Sequence, residues 1–341
     1  MERKRKTMTE FKRLTFDELC DKLCENKRTL IIYHVRSDAD AVGSAFSLRK
    51  LLTLMGIPTL CACADEVPER LRFISDDAQG SVLLDEDIDI DHERVISVDS
   101  ASPAQLGKLF DTLKKDVDIM IDHHAMGTVY ADCYIESDSS ATAEIIYAIA
   151  KELVKRGKIE YIPVNVLGYI YAGISSDTGG FRFSNTTPRT HRIAAELLEA
   201  GVDGAAINHL LFSSKSAKQI KAEGEASRRI NYYCQKTVAI ASVPYSAIYS
   251  LGLDEESMET VIEVPRSING VKIAVAIRQP TSENKFRVSM RSVGEFDVSL
   301  ICAVFGGGGH KRAAGCTVEA NGIDDAEHLI VREIKNSLAN V

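Results

Sequence analysis

Within seven residues, His34-Val-Arg-Ser-Asp38-Ala-Asp40, the chain offers one imidazole and two carboxylates. Groups of this kind suit a hard divalent cation, and the imidazole tilts the preference toward Mn²⁺, Fe²⁺ or Zn²⁺ over Mg²⁺. In an extended turn, the alternating spacing of Asp38 and Asp40 points both carboxylates toward one pocket. The same residues also read as a solvated turn with an Asp helix cap. Further groups of metal-ligand type stand at Asp99, at Asp122-His123-His124, and at Asp177 within Ser175-Ser-Asp177-Thr-Gly-Gly180.

The elements that must position these groups are legible as hydrophobic patterns. Three β-type runs, Thr29–Tyr33, Arg94–Val98 and Val117–Ile121, end at His34, Asp99 and Asp122-His123-His124. Strands that alternate with helices imply an α/β fold with a parallel sheet. In such sheets, ligands sit in the crevice beyond the carboxyl ends of the strands. Helical spacing predicts helices over Phe11–Lys27, Ala41–Leu54, Ser140–Lys155, Val164–Ile174 and Pro188–Ala200. Another strand is expected at Pro58–Ala64, and a short one at Phe181–Phe183 after Asp177. From Ile230 onward the pattern changes to strands at Thr237–Val243, Val271–Arg278, Phe286–Arg291 and Cys316–Glu319, with a helix over Val298–Phe305. This half reads as a smaller α+β domain.

A glycine run, Gly306-Gly307-Gly308-Gly309-His310-Lys311-Arg312, stands in that second half. Four glycines let backbone N–H groups turn toward an anion, and the three cationic or polar residues behind them add donors. A flexible loop with a solvated basic end is the competing reading. The spacing required for a Walker phosphate loop is missing, as is the Gly-x-Ser-x-Gly of a nucleophile elbow.

Composition narrows the partners. A length of 341 residues makes two domains the default, and 45% hydrophobic residues suffice for two cores. The formal charge of −8 argues against long or duplex nucleic acid held by a basic stripe. A small anion held through bound cations stays compatible with it. Met1–Lys6 is basic with no apolar core behind it and reads as a frayed tail. No apolar run approaches the roughly 18 residues that span a membrane. The eight cysteines read as reduced packing residues of a cytoplasmic protein.

Taken together, His34-x-x-x-Asp38-x-Asp40, Asp99, Asp122-His123-His124 and Asp177-Thr-Gly-Gly resemble the DHH phosphoesterase superfamily. Ser289-Met-Arg291-Ser292 and Gly306–His310 through Ala-Ala-Gly315 resemble its DHH-associated C-terminal domain. The layout is most similar to the bifunctional oligoribonuclease and pAp phosphatase group. The resemblance implies a Rossmann-like parallel-sheet DHH domain over 11–200, a helical linker over 201–227 and a smaller α+β substrate-binding domain over 228–341, across a cleft. It implies two Mn²⁺ ions, with Mg²⁺ or Co²⁺ as substitutes. His34, Asp38 and Asp99 would hold one, and Asp40, Asp99, His123 and Asp177 the other, so that Asp99 bridges. His124 would face the substrate phosphate. Arg291, Ser292, Gly307, Gly308, Gly309 and His310 would contact the substrate. The implied activity is hydrolysis of short single-stranded oligonucleotides, or of pAp to AMP and phosphate, with a homodimer left open. Exopolyphosphatase-like or dinucleotide phosphodiesterase activity is the alternative, and a binding module with a silent metal site is the non-enzyme reading.

Overall fold

The computed structural model describes residues 11–75, 81–83, 92–113 and 116–339; the basic start of the chain lies outside them. Among these residues no helix is long and apolar enough to cross a membrane. The chain divides into two units between Ser214 and Lys215, inside the stretch expected to connect two domains.

The first unit is built on six parallel strands: β1 (Thr29–Ile32), β2 (Thr59–Cys63), β3 (Ser81–Leu83), β4 (Arg94–Val98), β5 (Ile119–Asp122) and β6 (Asp132–Ile135). Their order is β3-β2-β1-β4-β5-β6. β1, β4 and β5 are buried at every position, polar Thr29, Arg94, Ser97 and Asp122 included, which explains why they read as mostly apolar runs with no alternation. One apolar cluster covers one face, through Phe46, Leu48, Ile145 and Ile170 among others. A smaller one, around Leu106, Leu109 and Tyr130, covers the other. The strand order reverses between β1 and β4, the switch point at which open α/β sheets leave a crevice.

Two helices close that crevice, Ala39–Leu54 and Val164–Asp177. They approach closely because Gly43 faces Gly173. A Cβ on Gly43 would stand 2.5 Å from the Tyr169 carbonyl oxygen. One on Gly173 would stand 2.8 Å from Asp40 Oδ1. Three expectations need correction here. The first helix is Phe16–Leu23, not Phe11–Lys27, because Thr15 and Glu18 form a capping box and Arg13 instead bridges to Cys133 beside β6. Phe181–Phe183 is a turn, since its N–H groups go to the oxygens of Thr178 and not to a neighbouring strand. The helix expected from Ser140 begins at Thr142.

The second unit carries a mixed sheet of β7 (Ile230–Tyr233), β8 (Val238–Val243), β9 (Ile273–Arg278), β10 (Lys285–Ser292), β11 (Gly308–His310) and β12 (Ala313–Glu319). The order is β11-β12-β10-β9-β8-β7, and only β8 and β9 run parallel. Apolar clusters cover both faces, one with the helices Val298–Val304 and Ile323–Ala339 and one with Ala217–Arg228. The last helix carries no expectation from the sequence reading. The glycine run is not a flexible loop: Gly308–His310 pairs antiparallel with Ala313–Gly315.

Candidate metal centre

His34 follows β1, and its Nδ1 lies 2.9 Å from the Val35 carbonyl oxygen. A carbonyl only accepts, so Nδ1 carries the proton and Nε2 is the ligating nitrogen. That Nε2 lies 3.8 Å from Asp38 Oδ1 and 3.6 Å from Asp99 Oδ2. His123 repeats the arrangement: Nδ1 sits 3.2 Å from the Ser139 carbonyl oxygen. Its Nε2 sits 3.7 Å from Asp99 Oδ1 and 3.3 Å from Asp177 Oδ2. This Nε2 is buried and makes no hydrogen bond of ordinary geometry among the described residues.

Asp99 therefore stands between two histidines, one carboxylate oxygen toward each. It is held there in a left-handed backbone conformation, φ +52°, uncommon outside glycine and tolerated by Asp. Its N–H extends the sheet to the Ile121 carbonyl, and Thr142 Oγ1 donates to its Oδ1 at 2.9 Å.

Asp40 is fully buried. Its Oδ2 accepts from Thr142 N at 2.7 Å and its Oδ1 from Ala143 N at 2.9 Å. It thus satisfies the open N–H groups of the helix Thr142–Lys155, whose own cap position, Ala141, has no side-chain oxygen. The cap reading of Asp38 also holds: Oδ1 accepts from the N–H groups of Asp40 and Ala41, both at 3.0 Å. Capping and facing His34 are thus combined in one carboxylate. Asp177 is the last residue of the helix Val164–Asp177, and Asn185 pins its carbonyl at 3.1 Å.

The structure brings six of the expected residues into two sets, His34/Asp38/Asp99 and Asp40/His123/Asp177. Ligand atoms within each set lie within 4.8 Å of one another. His124 stands beside them, its Nδ1 2.7 Å from Asp122 Oδ1. The same oxygen accepts the N–H groups of His123 and His124 at 2.7 and 3.1 Å. Asp122 thus orients both histidines, a role the sequence reading left unassigned although the residue stands in the motif. Thr142, Asn185 and Gly173 also carried no signal, because nothing in their local spacing says which side chains they meet.

The electrostatics are those of a cation site holding protons. Burial pushes the Asp40 carboxyl well up, with Asp99 and Asp177 adding to it. Burial also lifts Asp177 to about 6, against the pull of His123. Burial alone would lower the imidazoles, but Asp38 and Asp99 raise His34 to about 11, and Asp177, Asp40 and Asp99 raise His123 to about 10. Carboxylates that cannot all ionise, facing two Nε2 atoms whose Nδ1 protons are already committed, fit divalent cations. This His/Asp cluster has the chemistry to hold metal ions.

The expected substrate residues all lie in the second unit. Arg291 Nη1 donates to the Met290 carbonyl at 2.9 Å, and Ser292 Oγ to that of Phe296 at 2.7 Å. Gly307 has no room for a Cβ, which would stand 2.5 Å from Cys316 Cβ. Gly309 has φ +142°, whereas Gly308 meets no such constraint. The side chain of His310 lies outside the described part.

Residues 28–174 match the DHH family, N-terminal domain, and residues 235–336 the DHHA1 domain. The bifunctional oligoribonuclease and PAP phosphatase NrnA of Thermus thermophilus is 27% identical over 309 residues, 90% of this chain and 89% of that protein. The protein of the same name from Bacillus subtilis is 25% identical over 313 residues, 89% and 92% respectively. Among solved structures, an exopolyphosphatase-related protein from Bacteroides fragilis shares the fold, with a TM-score of 0.84 at 21% identity over 95% of each chain. With its His/Asp cluster inside the first matched segment apart from Asp177, and both domains in the same order along one chain, this protein belongs to the DHH phosphoesterase family, as a hydrolase with a C-terminal DHHA1 domain.

Proposed function

We propose that the protein is a manganese-dependent phosphoesterase that hydrolyses short single-stranded oligonucleotides to mononucleotides and pAp to AMP and phosphate. The observation that carries this reading is Asp99, which turns one carboxylate oxygen to His34 and the other to His123. His34, Asp38 and Asp99 would hold one Mn²⁺, and Asp40, Asp99, His123 and Asp177 the other. Bound there, two such ions acidify a water and neutralise charge on the phosphoryl oxygens. The names of the relatives support the substrate class.

The chain's own residues orient the reaction. The Val35 and Ser139 carbonyls fix the His34 and His123 rings so that each presents Nε2. Asp122 accepts from His124 Nδ1, so a proton passed to the phosphoryl group or leaving oxygen leaves from Nε2. Burial would lower the His124 pKa, but Asp122 outweighs it and raises the ring, which favours the proton-bearing form. Arg291, Ser292, Gly307–Gly309 and His310 would bind the far part of the substrate, with 11–200 and 228–341 as the two domains. A net charge of −8 favours short strands over duplexes.

Asp99→Ala and His123→Ala, assayed on a dinucleotide and on pAp across a manganese titration, test the assignment. Each is expected to lose at least about 10²-fold in turnover. Parent-like rates would remove these residues from the chemistry. Side-by-side turnover of polyphosphate, cyclic dinucleotide, linear dinucleotide and pAp separates this reading from the competing ones: faster turnover of polyphosphate or of the cyclic dinucleotide would overturn it.

A further inference from the structure

Residues 136–144 lead from β6 into the helix Thr142–Lys155, and they support one half of the His/Asp cluster. The Glu136 N–H donates to the Asp122 carbonyl at 3.0 Å. The Ser139 carbonyl faces His123 Nδ1, and Asn185 ties the Ser140 carbonyl to that of Asp177. The Thr142 and Ala143 N–H groups hold Asp40. Thr142 Oγ1 holds Asp99 Oδ1, the oxygen that faces His123. Among the described residues, no hydrogen bond runs from this segment to His34 or Asp38.

One guanidinium fastens the segment at both ends. Arg189 stands in the first turn of the helix Pro188–Glu199, where Thr187 and Thr190 form a capping box. Its Nη1 donates to Glu136 Oε1, and its Nε stands 3.6 Å from Glu144 Oε2. Glu144 is fully buried, and this Oε2 makes no hydrogen bond among the described residues. The other oxygen accepts from Ser140 Oγ at 2.6 Å, which accepts in turn from Thr190 Oγ1 at 3.2 Å. A buried carboxylate needs a partner for its charge, and the Arg189 guanidinium supplies it. The planar fork of an arginine can serve two carboxylates at once.

We propose that Arg189, acting through Glu136 and Glu144, is the positioning residue for one of the two cation sets, Asp40/His123/Asp177, and not for His34/Asp38/Asp99. This inference rests on the two-cation reading above and adds an asymmetry to it, because the two ions differ in what holds their ligands in place. An ion pair that merely joined two helices would act on both sets alike.

Manganese titration of the metal-stripped full chain, followed by the EPR signal of the free aquo ion, tests this without any turnover. The parent is expected to take up two ions. Arg189→Met should keep one at parent affinity and bind the other about 10- to 100-fold more weakly. Glu144→Gln keeps the side chain's shape and its acceptor for Ser140, so it folds where Arg189→Met does not; it should weaken the same single ion. Lys151→Ala is the control. Lys151 joins the same two helices through an exposed ion pair with Glu196 at 2.7 Å, and its loss should leave both affinities unchanged. Parent-like uptake of both ions by Arg189→Met or Glu144→Gln would overturn the positioning role, as would weakening of both ions by the same factor. A parent that binds fewer than two ions would overturn the two-cation reading itself, and this inference with it.

Discussion

At the scale of single residues, the centre holds more acid than it can ionise by itself. Asp177 is lifted from 3.8 to about 6, and His34 from 6.5 to about 11. Both groups bind more protons folded than unfolded in those intervals, so the metal-free protein loses stability as pH rises through them. Cation binding needs the carboxylates deprotonated and the imidazoles neutral, so it gains with pH. The expected outcome is that chelation lowers Tm more at pH 8 than at pH 5.5; an equal drop at both would contradict the cluster's charge balance. Asp122 makes a second prediction. Asp122→Asn keeps the shape but removes the charge that raises His124. Turnover should fall about 10- to 100-fold, and the alkaline limb of the pH–rate profile should move to lower pH. A profile that only scales down would leave Asp122 as an orienting group with no electrostatic part.

At the scale of elements, the site depends on a close helix crossing. Gly173 lies where a methyl group would meet Asp40 Oδ1 and, at 2.7 Å, Ala143 Cβ. Gly173→Ala should cost about 1–3 kcal/mol through overpacking and weaken manganese binding as well, because Asp40 would be displaced with the helix it caps. Unchanged affinity with lowered Tm would separate the packing from the site. This crossing also shows what the sequence could and could not reveal. The strand ends were legible: β1, β4 and β5 are mostly apolar because both their faces are covered, so each run stops at its polar residue, His34, Asp99 or Asp122. The α/β class followed from their alternation with helices. Asp40's second role was not legible, since the helix it caps begins about a hundred residues later, at Thr142. Phe181–Phe183 carried a strand-like composition, but Thr178 captures its N–H groups locally. Gly308–His310 misled in the opposite direction. Glycine weakens a strand by propensity, yet here a strand without side chains is what lets Gly307 and Gly309 lie against Cys316 and Ala314.

At the scale of the whole molecule, each of the two units has its own sheet covered on both faces, the first by the clusters around Ile145 and Leu106, the second by those around Val288 and Val261. Every residue of the His/Asp cluster belongs to the first unit, and none to residues 215–341. A ligand stabilises only the cooperative unit that binds it, by RT ln(1 + [L]/Kd), about 2.7 kcal/mol at a hundredfold excess over Kd. Calorimetry of the full chain should therefore show two transitions. Manganese should raise one of them, by about 5–10 °C for a unit of this size, and leave the other in place. A fragment of residues 215–341 should unfold cooperatively at the temperature of the unmoved transition, with no response to manganese. One merged transition that shifts as a whole, or a fragment that fails to fold, would mean that the second sheet draws its stability from the first, and that the boundary at Ser214 does not separate independent folding units.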